Sequence, residues 1–167
     1  MQLLKFIALG ALHFAFAWSA VSVNAAEPGA TPAASTSMKI TTFYATDSGD
    51  SRFREIEIPL SASRDDGFGH TLRLSNPYAS PNVQFIELPA GMDQDWHNAP
   101  ARQLVTVLTG TIEVETTDGV RKQWRAGDTF LPADVTGRGH RTRCIDGAVR
   151  LLFAPLPEGF NLDTWST

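Results

Sequence analysis

Residues 91–110 read Gly91-Met-Asp-Gln-Asp-Trp-His97-Asn-Ala99-Pro-Ala-Arg-Gln103-Leu-Val-Thr-Val-Leu-Thr-Gly110. The stretch opens on a Pro-Ala-Gly turn, passes through the Trp96-His97 pair, and ends in an apolar run closed by Thr109-Gly110. A second stretch, residues 126–143, answers it: Ala126-Gly-Asp128-Thr-Phe-Leu-Pro132-Ala-Asp-Val-Thr-Gly-Arg138-Gly-His140-Arg-Thr-Arg143. Together they hold two of the three histidines outside the N-terminal apolar segment; the third is His70.

Outward from these stretches, the chain reads as strands and turns. Met38 to Ala45 is a β-rich run, and Phe53, Ile56 and Ile58 are set among charged residues before Pro59. Ser61 to Gly69 is polar with two glycines and reads as a loop. His70 to Leu74 alternates, Asn76 to Pro81 is turn-rich, and Val83 to Leu88 reads as a strand. Leu104 to Leu108 is nearly all apolar, as a strand buried on both faces would be. Thr111 to Thr116 alternates up to Thr117-Asp118-Gly119, a hairpin signal. Val120 to Arg125 returns with Trp124 inward. Thr129 to Leu131 stops at Pro132, and Gly139 to Ile145 with Ala148 to Ala154 forms a last pair. The tail from Pro155 is irregular, with Trp165 packing back. About nine to eleven short strands joined by tight turns, with no long helical periodicity, make an all-β antiparallel sandwich or barrel.

The 167 residues, 43% hydrophobic, suit one domain with a real core, and the formal net charge of −4 without a Lys/Arg block excludes nucleic acid as a main partner. Residues 1–25 read as a cleaved signal peptide: Lys5 supplies the positive start, an apolar run follows, and Val23-Asn24-Ala25 has small residues at the cleavage positions. The run falls short of the roughly 20 residues of a membrane span, so no stable membrane insertion is expected after cleavage. Residues 26–37 form an Ala/Pro/Ser/Thr-rich linker. The barrel domain is expected over 38–160, with 161–167 as a C-terminal tail, in a periplasmic or secreted protein.

The two stretches carry a resemblance. Gly91, five residues, His97, then Gln103, six residues and Gly110 are similar to the first motif of the cupin superfamily. Gly127-Asp128, Pro132 and His140 are similar to its second. The resemblance implies a jelly-roll β-barrel with a pocket between the motifs. It departs from the family where the second histidine is Ala99 and the glutamate is Gln103. In a typical cupin, three histidines and a glutamate hold a divalent transition metal. Carried over residue by residue, His97, Gln103 and His140 remain as ligands for Fe, Mn, Ni or Zn, and His70 is a candidate third imidazole.

The metal-free alternative makes His97 and His140 a catalytic acid–base pair, with Gln103, Trp96 and Arg138 binding substrate. Arg102 or Arg141 could hold a carboxylate, but strand parity turns both away from the histidines, while Arg138 and Thr142 share the parity of His140. Asp93 and Asp95 read as solvated turn residues, and Asp128 as a turn cap. Arg121, Lys122, Arg125, Arg141 and Arg143 read as solvated strand faces. Cys144 is the single cysteine and reads as a small half-buried hydrophobe. Three functions follow: an enzyme acting on a small organic molecule, as an isomerase, dehydratase or metal-dependent dioxygenase; a non-catalytic ligand-binding module; or an interaction role through a homodimer.

Overall fold

The computed structural model describes residues 36–165. The expected signal peptide, residues 1–25, and nearly all of the expected linker, 26–37, lie outside the described residues. Twelve strands follow: β1 (Ser37–Ala45), β2 (Ser51–Pro59), β3 (Ala62–Asp65), β4 (Thr71–Leu74), β5 (Gln84–Leu88), β6 (Asp93–His97), β7 (Gln103–Thr109), β8 (Thr111–Glu115), β9 (Arg121–Arg125), β10 (Thr129–Pro132), β11 (His140–Cys144) and β12 (Val149–Pro155), with a 3-10 turn at Leu162–Trp165. No helix among the described residues is long and apolar enough to cross a membrane.

The strands form a six-stranded sheet in the order β2-β1-β10-β7-β12-β5, a four-stranded sheet in the order β6-β11-β8-β9, and a separate β3-β4 hairpin. From β5 to β12 successive strands alternate between the two sheets, except that β8 and β9 pair directly across the Thr117–Gly119 turn. This is the strand order of a jelly roll. The strand pairs are antiparallel with one exception: β1 joins the edge of β10 in parallel, Thr41 opposite Phe130. A parallel pair needs a long crossover, and the whole roll between β1 and β10 supplies it.

Alternation decides which side chains meet between the sheets. On β7, Gln103, Val105 and Val107 are buried; on β8, Ile112 and Val114 are buried while Glu113 and Glu115 are only partly so. These join Phe43, Trp124, Phe130, Val149 and Leu151 in the main core. Trp124 stacks on Phe130 with centroids 4.4 Å apart, the inward Trp124 that the β9 pattern required. A second core lies on the other face of the six-stranded sheet. Ile40, Ile56, Ile58 and Leu131 there meet Leu156, Leu162 and Trp165 of the tail. The tail is therefore part of the packing, with Trp165 wedged against Tyr78 and Phe160 at 4.9 Å each.

The structure corrects three local expectations. β7 is not buried on both faces along its length: Leu104 packs under the tail, but Leu108 is 40% exposed. Residues 62–65 are a strand, not loop; β3 is exposed throughout and leaves no burial alternation to read. Residues 93–97 are a strand, not a turn approach: they pair with β11, and Asp93, Gln94, Asp95 and His97 leave no apolar alternation to read.

Trp165 is 1% exposed. Truncating a fully buried aromatic costs about 3–5 kcal/mol, so Trp165→Ala is expected to lower the urea-unfolding free energy by that amount. An unchanged midpoint would show that the tail is an appendage.

Candidate functional site

The site begins with an irregularity between β6 and β11. His140 lies opposite His97, and Thr142 lies opposite Gln94. Two steps on β11 thus span three on β6, which is a β-bulge with one extra residue on β6. Without it, Gln94 and His97 would face opposite sides of the sheet. With it, both turn inward, while Asp93 and Asp95 face outward toward Arg141 and Arg143.

Backbone packing holds the bulge. Gly139 sits at φ +75°, and a Cβ there would overlap the carbonyl of His97. The Gly139 carbonyl accepts a 2.6 Å hydrogen bond from the hydroxyl of Ser51, which is fully buried and itself accepts from the Thr117 amide. Asn98, next along the chain from His97, donates through Nδ2 to the carbonyls of Asp134 and Thr136 at 3.0 and 2.8 Å.

The two imidazoles meet with centroids 4.4 Å apart and a 54° tilt. Each is oriented through Nδ1. His140 bonds the Asp134 carboxylate at 2.8 Å, both side chains being almost fully buried. His97 donates Nδ1–H to the Asp95 carbonyl at 2.6 Å. A carbonyl only accepts, so His97 carries a hydrogen at Nδ1, and the Asp134 carboxylate likewise takes the Nδ1 side of His140; the Nε2 atoms of both rings are engaged by neither partner. Phe43 packs edge-on against His140 at 4.6 Å. Burial lowers the His97 imidazole below its ordinary range; the hydrogen bond to Asp95 opposes this, nearby His140 adds to the lowering, and Asp134 opposes it.

These groups line a cavity of about 210 Å³ between the sheets, walled by Phe43, Val105, Ile112, Phe130, Leu151 and other apolar side chains. Its polar side chains are Gln94, His97, Gln103, His140 and Thr142, and no Lys or Arg lines it among the described residues. Gln103 is 5% exposed and Ala99 is 4% exposed; both face this cavity.

The structure thus brings His97, Gln103 and His140 together. It does not bring Trp96 or Arg138 to them. Trp96 is 43% exposed and shares a surface depression with Thr117 and Arg138. Arg138 is paired there with Asp50. The parity Arg138 shares with His140 does not carry through Gly139, whose left-handed backbone breaks the strand. His70 is exposed and bonded to Asp66 at 2.8 Å, away from the cavity. Thr142 faces the cavity and Arg102 lies outside it, as parity predicts.

Asp93 and Asp95 are not isolated turn acids, and Arg141 and Arg143 are not simply solvated. Arg143 reaches Asp93, Glu113 and Glu115 at 3.1, 3.5 and 3.4 Å on the outer sheet face. Asp128 caps the Arg125 amide at 2.8 Å. Cys144 belongs to the main core, and burial pushes its thiol up. Asp134 and Gln94 were missed. Asp134 lies in an irregular segment where no periodicity marks it, and Gln94 is turned inward by a bulge that strict alternation does not foresee.

The cupin resemblance raises a metal at this place. The donors present are the imidazoles of His97 and His140, the carboxamides of Gln94 and Gln103 and the hydroxyl of Thr142. No group of three or more His, Cys, Asp or Glu side chains able to hold a metal occurs among the described residues. A resident transition metal normally takes three or four protein ligands, often with an anionic one. The set does not fit such an ion, since the one nearby carboxylate, Asp134, is spent on His140 Nδ1.

No family model matches the chain, and no curated protein matches it. Among solved structures, it is similar to a Cupin 2 conserved barrel domain protein from Leptotrichia buccalis, at 24% identity over 50% of this chain and 39% of that one, with a TM-score of 0.38. It is also similar to a cupin domain from Bordetella pertussis Tohama I, at 20% identity over 45% of this chain and 79% of that one, TM-score 0.37. An RmlC-like cupin from Shewanella frigidimarina NCIMB 400 shows 24% identity over 60% of this chain and 88% of that one, TM-score 0.33.

Two outcomes follow from this geometry. Gly139→Ala is expected to push His97 away from His140, read as a shift of the His97 ring signals by NMR in a protein that still unfolds cooperatively; unchanged ring signals would sink the packing account. The second concerns pH. A histidine held below its unfolded value binds fewer protons in the folded state, so stability is full above about pH 6.5 and declines as pH falls toward the folded value. His97→Gln is expected to flatten that part of the Tm-against-pH curve, which a series of melts from pH 7.5 downward checks.

Proposed function

We propose that this jelly roll is a small-molecule-binding protein of the cupin kind, acting as an enzyme that moves a proton on a neutral organic substrate in the central cavity. The buried Asp134–His140 pair at the wall of an apolar cavity carries this reading. Asp134 orients His140 and stabilises the imidazolium that forms when Nε2 takes a proton, the arrangement by which a carboxylate supports a general base. His97, kept neutral by burial, does not oppose that charge. Gln94, Gln103 and Thr142 offer hydrogen bonds to a hydroxyl or carbonyl. The proton held at His140 returns to another atom of the same substrate in an isomerisation, or to a departing hydroxyl in a dehydration. The absence of any lining Lys or Arg among the described residues favours an uncharged substrate over an acid.

The same uncharged, largely apolar wall also suits the second reading, a module that holds its ligand without changing it. Residues 1–25 support a periplasmic or secreted location for either.

The test is a thermal-shift screen of the mature protein against neutral sugars, lactones and phenolics, with each hit recovered and examined by NMR. An isomerised or dehydrated hit whose turnover falls about 10²–10⁴-fold in His140→Gln supports the enzyme. A hit recovered unchanged supports the binding module. Incubation with Fe, Mn, Ni or Zn is expected to leave less than stoichiometric metal; one equivalent lost in both His97→Ala and His140→Ala would overturn the metal-free mechanism.

A further inference from the structure

A second cavity, of about 430 Å³, lies outside the barrel, between the outer face of the six-stranded sheet and residues 159–163 of the tail. Neighbouring strands converge on it. β2 supplies Arg54 and β1 supplies Tyr44, while Arg102 stands immediately before β7. Parity explains the convergence: Arg54 shares its face with Ile56 and Ile58 of the outer core, and the inward Gln103 turns Arg102 outward.

The cavity is unlike the central one in its charge. Two guanidinium groups line it, and neither makes an ion pair among the described residues. Arg54 is half-buried, with its guanidinium carbon 5.0 Å from the centroid of the Tyr44 ring. Its Nε is buried and has no hydrogen-bond acceptor among the described residues. Arg102 donates from Nη1 to the Phe160 carbonyl at 3.3 Å, which leaves four of its five donors. One exposed acid, Asp163, lines the cavity and pairs with neither arginine. Thr136 and Asn161 add neutral polar groups.

Guanidinium forks match the two-oxygen geometry of a carboxylate or phosphate, and the Tyr44 ring lies beneath one of them. Neither guanidinium group has an anionic partner among the described residues, and an oxyanion in the cavity between them would supply one. We propose that this outer cavity binds a small oxyanion, carboxylate or phosphate, between Arg54 and Arg102. The site is separate from the central cavity and does not depend on what that cavity does.

The test is calorimetric titration of the mature protein with inorganic phosphate and, in a separate arm, with acetate, at low ionic strength because salt screens such contacts. Saturable binding of one probe is expected, and the tighter probe tells a phosphoryl ligand from a carboxylate. Arg54→Gln and Arg102→Gln are each expected to weaken binding about tenfold or more, Arg54→Lys to lose most of it because the fork is gone, and Asp163→Asn to tighten it. His140→Gln is expected to leave it unchanged. The proposal is overturned if neither probe saturates by a concentration on the order of 10 mM, or if affinity is unaltered in both glutamine variants with wild-type melting. Should those variants fail to fold, exposed Asp163 still decides: no gain in affinity in Asp163→Asn overturns the site.

Discussion

The contact of Gly139 with the carbonyl of His97 is the constraint on which the site depends. β6 carries one residue too many for its partner, and the surplus is absorbed where Gly139 allows the two backbones to close. Any larger residue would hold the strands apart at the point where His97 must face His140. The contact in turn needs Ser51, whose buried hydroxyl holds the Gly139 carbonyl, and so it needs β2 in place. A strand at one edge of the six-stranded sheet thereby reaches the geometry of a pair in the four-stranded one. Asn98 ties the same junction to the segment that carries Asp134. The imidazoles are thus set by backbone packing on one side and a carboxylate on the other.

Most of the fold was legible because burial and hydrophobicity agree along it. β8 alternates in sequence and in structure, β9 turns Trp124 inward as read, and the Asp118-Gly119 turn is where its residues require it; the apolar run of β7 marked a strand but overstated the burial of its second face. The elements that escaped are those whose side chains are polar on both faces. β6 presents Asp93 and Asp95 to arginines outside and Gln94 and His97 to the cavity, so no apolar rhythm survives. β3 is exposed on both sides and has none to show. The parallel pairing of β1 with β10 depends on long-range topology, to which local pattern is blind.

That His97, His140 and Gln103 share one cavity was legible from their spacing to turn glycines. The site was not legible at Asp134, which no strand period contains, nor at Gln94, which an inserted residue redirects. Arg138 illustrates the opposite failure. It shares parity with His140 on paper, but two glycines with left-handed backbones, Gly137 and Gly139, flank it and turn its side chain to Asp50. Parity is a property of extended chain and lapses where the chain is not extended.

The places where the sequence differs from the cupin motif it resembles make chemical sense together. A glutamate at position 103 would place a carboxylate in a cavity with no lining cation, and burying an unpaired charge is far more costly than burying an amide. A carboxamide keeps the shape and hydrogen-bonding reach of glutamate without that cost. At position 99 the small Ala99 side chain extends the apolar wall. The one carboxylate retained near the cavity, Asp134, is spent entirely on a histidine. The other charges described lie outside the cavity, in the arginine–carboxylate lattice over the four-stranded sheet and in the guanidinium groups of Arg54 and Arg102 beneath the tail, which make no ion pair among the described residues. The cavity wall is thus apolar, with amide, hydroxyl and imidazole groups in place of Lys, Arg, Asp or Glu among the described residues.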